Sequence, residues 1–501
     1  MNIKKENLSK IAVKNSVYSL GFAMINKFGG LILTIILARL LLPELFGLYS
    51  LVLSVVVIVV ILADFGTDVT AIRYISKALE ENNKEKARSI FRFLFKIKSL
   101  MILISIIIVL TIAKPLSQII FNKPLLFWPL IFSCFYIFAE SLKSFFGTPF
   151  AAKKDIKVLL PVELIFQASK IVLSFIAISM LSYELKVSGI FLAFAISGFL
   201  FLALEIFFLI KKDKELILGK LLKINRQKIL NYIGFAGIAG ITLIFFGSID
   251  TLMLGKFVDA EYLGYYRVAL GLVVSISAIL PFTGTLLPIF TQIHNRRLDR
   301  GFQKSFGYLI ILIIPMSIGM MFISKHIILL IYGKEYLPAA SSLLVLSILI
   351  VISPLISLYS TMFQAQEKPK ILAKFMTISL VMNILLNYTL IKILLTISQE
   401  YAILGAGIAT VISNVFFLGV LVSKTKSQFK IKIDKKIILK SIFSTIIMAI
   451  FLFAFMSYVD MNIFSGATMV ILATIIYFSA MFFVKGITKE DINLFRTIFK
   501  R

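Results

Sequence analysis

Apolar runs of roughly 20 residues, the length of helix that crosses about 30 Å of hydrocarbon, recur along the whole of this 501-residue chain. Their approximate cores are 17–40, 46–63, 93–113, 125–146, 158–181, 188–210, 231–255, 262–288, 305–330, 338–363, 371–395, 402–423, 438–459 and 462–484. These predict fourteen transmembrane helices. At 59% hydrophobic residues and a mean hydropathy of +0.98, the chain lies far outside the soluble range of about 45–50% apolar. The fold class expected is all-α integral membrane.

A net charge of +28 in a soluble protein would suggest nucleic acid, but here the cations follow the loops. Of the 53 Lys and Arg residues, 40 fall in alternate segments on one side of the predicted spans and 8 on the other. Cytoplasmic loops carry such an excess, so both termini are expected to be cytoplasmic and the protein multi-pass in the plasma membrane. The basic runs then set topology and meet anionic headgroups, with no nucleic acid as partner. The first apolar run follows "MNIKKENLSKIAVKN" and is interrupted by Asn26 and Lys27, so it reads as a retained helix and not a signal peptide. The single cysteine, Cys134, lies inside the fourth span and leaves no intramolecular disulfide.

Two stretches repeat each other 217 residues apart, "LARLLLPELFGLYSL" at Leu37 to Leu51 and "LGKFVDAEYLGYYRV" at Leu254 to Val268. Each ends an apolar run with a small residue and a cation, places an acid five positions on, then writes Gly-x-Tyr. They occupy equivalent places, the outer hairpins joining spans one and two and spans seven and eight. "AAKKDIK" (Ala151 to Lys157) and "QEKPKILAK" (Gln366 to Lys374) correspond at nearly the same offset, as do "VSGIFLAFAIS" (Val187 to Ser197) and "ILGAGIATVIS" (Ile403 to Ser413). The pattern predicts a six-helix lobe over 1–211, a cytoplasmic linker over 212–228, a second six-helix lobe over 229–424, and two additional helices with a cytoplasmic tail over 425–501. Such internal repeats characterise secondary transporters that rock two bundles about a central site. The segment Ile72 to Lys96 reads as an interfacial helix leading into span three.

"ARLLLPELFGLYSL", "ADFGTDVTAIRYIS" (Ala63 to Ser76), "SIDTLMLGKF" (Ser248 to Phe257) with "LGYY", and "LGAGIATVISN" (Leu404 to Asn414) together resemble the Wzx-type polysaccharide-biosynthesis flippases. These belong to the multidrug/oligosaccharidyl-lipid/polysaccharide exporter superfamily. The resemblance covers residues 10 to 485; "SIDTLMLGKF" also resembles the drug exporters of that superfamily, whereas the first hairpin favours the flippase branch. It implies a V-shaped pair of lobes that moves a polyprenyl-pyrophosphate-linked oligosaccharide from the inner to the outer leaflet, with membrane lipids and other glycan-assembly proteins as partners.

Charge at mid-membrane costs about 2.5–3.5 kcal/mol on insertion scales, so each such residue needs a partner or a wet cavity. Glu163, Gln167 and Lys170 share one face of span five at i, i+4, i+7. Lys27 lies roughly 15 Å into span one beside Asn26, and Glu140 and Lys143 lie near the inner end of span four. These residues read either as a cationic cavity for an anionic pyrophosphate or as internal ion pairs. The matching face of span eleven, Ser379, Asn383 and Asn387, is uncharged and suits sugar hydroxyls or interhelical hydrogen bonds equally. Asp250 and Arg267 fall at one depth on spans seven and eight; they read as an ion pair, or as an H⁺ or Na⁺ coupling site. Arg39 and Lys256 fall in the outer hairpins, where headgroup contact is expected.

With two histidines, His294 and His326, and one cysteine, no transition-metal site, cofactor or catalytic residue is expected. There is no G-x-x-x-x-G-K-[ST] motif for nucleotide hydrolysis. An enzyme such as a glycan polymerase or ligase would need a large outer loop, and the longest outer segment runs only from about 114 to 124. A lipid-linked oligosaccharide flippase is the leading reading, with an ion-coupled exporter of amphipathic cations as the alternative.

Overall fold

The computed structural model describes residues 2–153, 155–278, 296–429, 435–460 and 462–487, together with Leu286, Phe290 and Thr291. All regular secondary structure among them is helical, as expected where backbone groups meet hydrocarbon and must bond within their own segment. Eleven stretches of the described residues are long and apolar enough to cross a membrane. Contacts divide the chain into two compact units, the first ending at Gly264 and the second beginning at Tyr265.

The first unit holds α1 (Asn2–Asp64), α2 (Thr67–Glu80), α3 (Lys84–Pro115), α4 (Phe127–Ala152), α5 (Leu159–Met180), α6 (Lys186–Ile217), α7 (Arg226–Phe257) and the start of α8 (Ala260–Ala278). The 63 residues of α1 are two helices folded at Leu42, where φ is 60° and ψ 173°. The cause is Pro43, which lacks an N–H and pushes the residue before it out of helical backbone. α4 packs on α6, α5 on α6, and α1 on α5 and α7. The expected single helix over Ile72 to Lys96 is instead α2 and the start of α3, broken where Asn82 takes φ 53°. Asn83 caps α3 by accepting from the Lys86 N–H at 2.8 Å. α2 is two-faced: Thr67, Thr70, Ala71, Ile75 and Ala78 are buried against α3, α4 and α7, while Val69, Ile72, Arg73, Lys77 and Glu80 are exposed.

The two similar stretches meet. A Cβ at Gly47 would overlap the carbonyl oxygen of Ala260, and one at Gly264 would overlap the carbonyl oxygen of Pro43. With a 217-residue offset, Gly47 answers to Gly264 and Pro43 to Ala260, so the contact is reciprocal. Backbones can approach this closely only where both partners lack a side chain. Lys123 adds to the same end, donating to the carbonyls of Gly255 at 2.8 Å and Val258 at 2.9 Å, the unpaired C-terminal groups of α7. Tyr183 donates to Glu44 at 2.7 Å.

The second unit continues through α9 (Arg296–Ile331), α10 (Ala339–Leu346), α11 (Leu349–Ala365), α12 (Pro369–Leu395), α13 (Gln399–Phe429), α14 (Lys435–Tyr458) and α15 (Ile463–Phe483). The run expected as one helix over 338–363 is divided between α10 and α11 around Ser347 and Ile348. The Ser347 carbonyl accepts from the Ile350 N–H at 3.0 Å and, as a second donor, from Ser317 Oγ on α9 at 2.8 Å. α12 packs on α13, and α14 on both α9 and α15. Tyr477 on α15 donates to the Ile311 carbonyl at 2.7 Å, and Ser441 on α14 lies 2.9 Å from its hydroxyl. An apolar cavity of about 300 Å³ lies between α9, α14 and α15, lined by Leu312, Met316, Met320, Met448, Leu452 and Phe478 among others.

Gly-to-Ala in a helix is ordinarily stabilising by about 0.5–1 kcal/mol. At Gly264 the added methyl should instead cost about 1–3 kcal/mol through overpacking, whereas at Gly271, where nothing lies within 4 Å of the new Cβ, it should not. Thermal unfolding of the two variants in detergent checks this: a lower midpoint for Gly264→Ala alone is expected, and equal midpoints would refute the close crossing.

Candidate functional site

The polar residues predicted on α1, α4 and α5 gather inside the first unit. Glu163 is buried, and its Oε1 accepts from Asn26 Nδ2 at 3.0 Å and from Gln167 Nε2 at 2.7 Å. α1 comes close enough that a Cβ on Gly29 would lie 2.7 Å from the Gln167 side chain. One helical turn on, two lysines meet the ring of Phe166, with Lys143 Nζ 4.0 Å from its centre and Lys170 Nζ 5.0 Å. Lys170 also faces Phe194 at 4.7 Å and Lys143 faces Phe201 at 5.3 Å. Cations over aromatic faces gain about 0.5–2 kcal/mol each.

The two lysines differ. Lys143 is ion-paired with Glu140 at 2.7 Å. Lys170 lies within electrostatic range of Lys143, Glu140 and Glu163, yet makes no hydrogen bond or ion pair among the described residues. Its ammonium therefore has donors to offer a ligand. Lys27 stands exposed on α1 one residue beyond Asn26.

A second buried charge group in the same unit has no counterpart in the sequence reading. Lys98 on α3 is 0% exposed, and its ammonium is 2.9 Å from both Asp64 Oδ1 and Asp68 Oδ1. Asp64 also accepts from the Asp68 N–H at 3.0 Å and Thr67 Oγ1 at 2.9 Å, holding the first turn of α2. Asp68 accepts from Ser144 Oγ on α4 at 2.5 Å. One lysine and two carboxylates thus fasten α1, α2, α3 and α4 together. Both aspartates belong to "ADFGTD"; a lysine inside an apolar span, with two acids one hairpin away, was the available signal. Glu205 on α6 is the other group missed. It is 2% exposed, its Oε2 has no hydrogen-bond partner among the described residues, and a Cβ on Gly147 would touch its Oε1 at 3.1 Å.

In the second unit the amides face a neighbouring helix. Ser379 Oγ donates to the Ser413 carbonyl at 2.7 Å, Asn383 Nδ2 to Ser413 Oγ at 3.1 Å, and Asn387 Nδ2 to Asn383 Oδ1 at 3.1 Å. This ladder joins α12 to α13 and is fully buried. Asp250 is buried on α7, and Arg267 is half-buried on α8. His294 lies outside the described residues. Among those described, no group of three or more His, Cys, Asp or Glu side chains could hold a metal ion.

Removing one partner of a buried pair strands the other charge at about 3–5 kcal/mol. Lys98→Met is therefore expected to lower the unfolding temperature sharply, and adding Asp68→Asn to recover part of the loss. Equal stability of Lys98→Met and wild type in a detergent melt would place this group in water.

Residues 12–294 match the polysaccharide biosynthesis protein family. Among curated proteins, an uncharacterised membrane protein of Methanocaldococcus jannaschii is 24% identical over 430 residues, 80% of this chain and 82% of that protein. A probable low-salt glycan biosynthesis flippase, Agl15 of Haloferax volcanii, is 24% identical over 244 residues, 48% of this chain and 50% of its own length. Among solved structures, the lipid II flippase MurJ in an inward closed conformation superposes with a TM-score of 0.73 at 15% identity, covering 94% of this chain and 99% of its own. A multidrug resistance MATE transporter of the MOP superfamily in an inward-facing conformation gives 0.58 at 16% identity, covering 83% and 96%. Those two likenesses establish the fold. With more than half its length matched, and with the helical membrane architecture described above, this chain is a member of the polysaccharide biosynthesis protein family.

Proposed function

We propose that the protein is a non-enzymatic flippase that moves a polyprenyl-(pyro)phosphate-linked oligosaccharide from the cytoplasmic to the outer leaflet of the plasma membrane by alternating access. The observation that carries this reading is Lys170, a half-buried ammonium on two aromatic rings with its hydrogen-bonding capacity unspent. An anionic phosphate is the complementary ligand, and the amides of Asn26 and Gln167 stand beside it. The apolar cavity lined by α9, α14 and α15 supplies the kind of surface a prenyl chain needs. The family and the glycan flippase relative support the same substrate class.

In this reading the chain makes fourteen crossings with both termini inside. The first 60-residue stretch, Gly21–Glu80, supplies two of them about the fold at Leu42, and α7 and α8 join the remaining ten. Residues 1–211 and 229–424 act as two six-helix lobes, and the reciprocal contact of Gly47 and Gly264 is where the two copies of the hairpin close. A second reading, export of amphipathic cations, rests on Glu205, whose buried carboxylate is the natural partner of a positive ligand.

Proteoliposomes carrying a fluorescent-sugar polyprenyl-pyrophosphate lipid, with a membrane-impermeant quencher added outside, test both. Wild type should expose the inner pool to quenching, and Lys170→Gln should slow this about 10- to 100-fold, the loss of one charge-assisted hydrogen bond of about 1.5–3 kcal/mol. Unchanged exposure in Lys170→Gln would remove Lys170 from the path. Uptake of a lipophilic cation, abolished by Glu205→Gln, would favour the exporter.

A further inference from the structure

We infer that the cytoplasmic start of α3 and the segment after α6 form a binding site for one anionic phospholipid of the inner leaflet, separate from the Lys170 cluster. The two elements enclose a cavity of about 820 Å³ lined by Arg92, Phe93, Lys96, Ile97 and Leu100 of α3 and by Leu221 to Ile224 and Arg226 opposite, with Ser89 at the edge. Four of the lining residues are cations and none is acidic. Glu215 is paired with Lys84 at 2.8 Å and Asp213 with Lys153, and Glu85, in the first turn of α3, is not among the lining residues. Lys96 and Lys223 are exposed and make no hydrogen bond or ion pair among the described residues. Arg226 rests over Phe93 at 5.6 Å.

The site is built in advance of any ligand. Arg88 donates to the carbonyls of Glu215 and Lys220, and Arg92 donates twice to the Ile217 carbonyl, at 3.1 and 2.7 Å. The Leu222 N–H donates to Ser89 Oγ at 2.7 Å. Three of these hydrogen bonds reach the last turn of α6 and two reach the irregular segment that follows, so both are held against the start of α3.

The pattern along α3 selects a lipid over a soluble anion. Arg92, Lys96, Leu100, Ile104 and Ile108 follow at i+4 intervals, a continuous ridge of the helix. The ridge changes from cationic to apolar as it enters the predicted span. Leu100, Ile104 and Ile108 are exposed at 57%, 40% and 37%, and Leu221 and Leu222 opposite are exposed as well. A phosphate held by Lys96, Lys223 and Arg226 would thus place an acyl chain on the Leu100–Ile108 ridge.

The test is native mass spectrometry of the full-length protein in a neutral detergent, titrated with phosphatidylglycerol or phosphatidylcholine. Wild type should retain one phosphatidylglycerol in preference to phosphatidylcholine. Lys96→Gln with Lys223→Gln and Arg226→Gln should weaken that binding about tenfold or more, and Leu221→Asp alone should weaken it with all cations in place. Lys370→Gln with Lys374→Gln, cations exposed elsewhere on the chain, should leave it unchanged. Equal retention of the two lipids, undiminished binding in the triple variant, or equal loss in the Lys370 and Lys374 control would overturn the proposal. So would displacement by glycerol phosphate, which has no acyl chain, or stronger retention of a polyprenyl phosphate, which would give the site to the transported lipid. Because none of these variants alters Lys170, a failure here leaves the flippase reading standing, and the quenching assay can fail without affecting this one.

Discussion

A peptide group inside hydrocarbon finds no water, so its N–H and C=O must bond within their own helix or pay several kcal/mol each. That constraint explains why every regular element among the described residues is a helix, and it makes each interruption informative. At Leu42 the chain tolerates φ 60° beside the crossing with Ala260. At Asp64 to Gly66 the turn into α2 is held by the Asp64 carboxylate, which accepts from the Gly66 and Asp68 N–H groups. At Ser347 the carbonyl accepts from the Ile350 N–H three residues on and from a serine of α9. Wherever the ladder opens, a side chain or a neighbouring backbone stands ready.

The same low-dielectric surroundings govern the charged side chains. A lysine as deep as Lys98 survives because two carboxylates meet it, and those carboxylates survive because N–H and hydroxyl donors take their remaining lone pairs. A fully partnered group of this kind fixes one arrangement of four helices. Lys170 and Glu205 stand in contrast, each buried or half-buried with capacity left over. Incomplete satisfaction is expensive for structure alone, and the proposed function gives these two groups a ligand.

The units distribute their polarity differently. In the first, an amide of α1 and charged side chains of α4 and α5 converge around Phe166 and Glu163. In the second, the stripe Ser379, Asn383 and Asn387 carries no charge and its donors reach α13 and the helix's own neighbours. An anionic ligand would therefore find its counter-charge in the first unit.

Much of this was legible before any coordinates. Hydropathy alone determined the helical membrane class, because a run of roughly 20 apolar residues has few other solutions, and the i, i+4, i+7 spacing of Glu163, Gln167 and Lys170 determined that they share a face. The repeated Gly-x-Tyr stretches announced a relation between Gly47 and Gly264, though not that the two glycines touch. What tertiary structure decided was partnership across helices: Lys98 with Asp64 and Asp68, Lys143 of α4 with Phe166 of α5, and Arg88 and Arg92 on the carbonyls at the end of α6 and just beyond it. The physical reason is that helical periodicity orders residues within one segment, whereas the energy of a buried charge depends on which other segment lies within about 3 Å of it, and no period in the sequence encodes that distance.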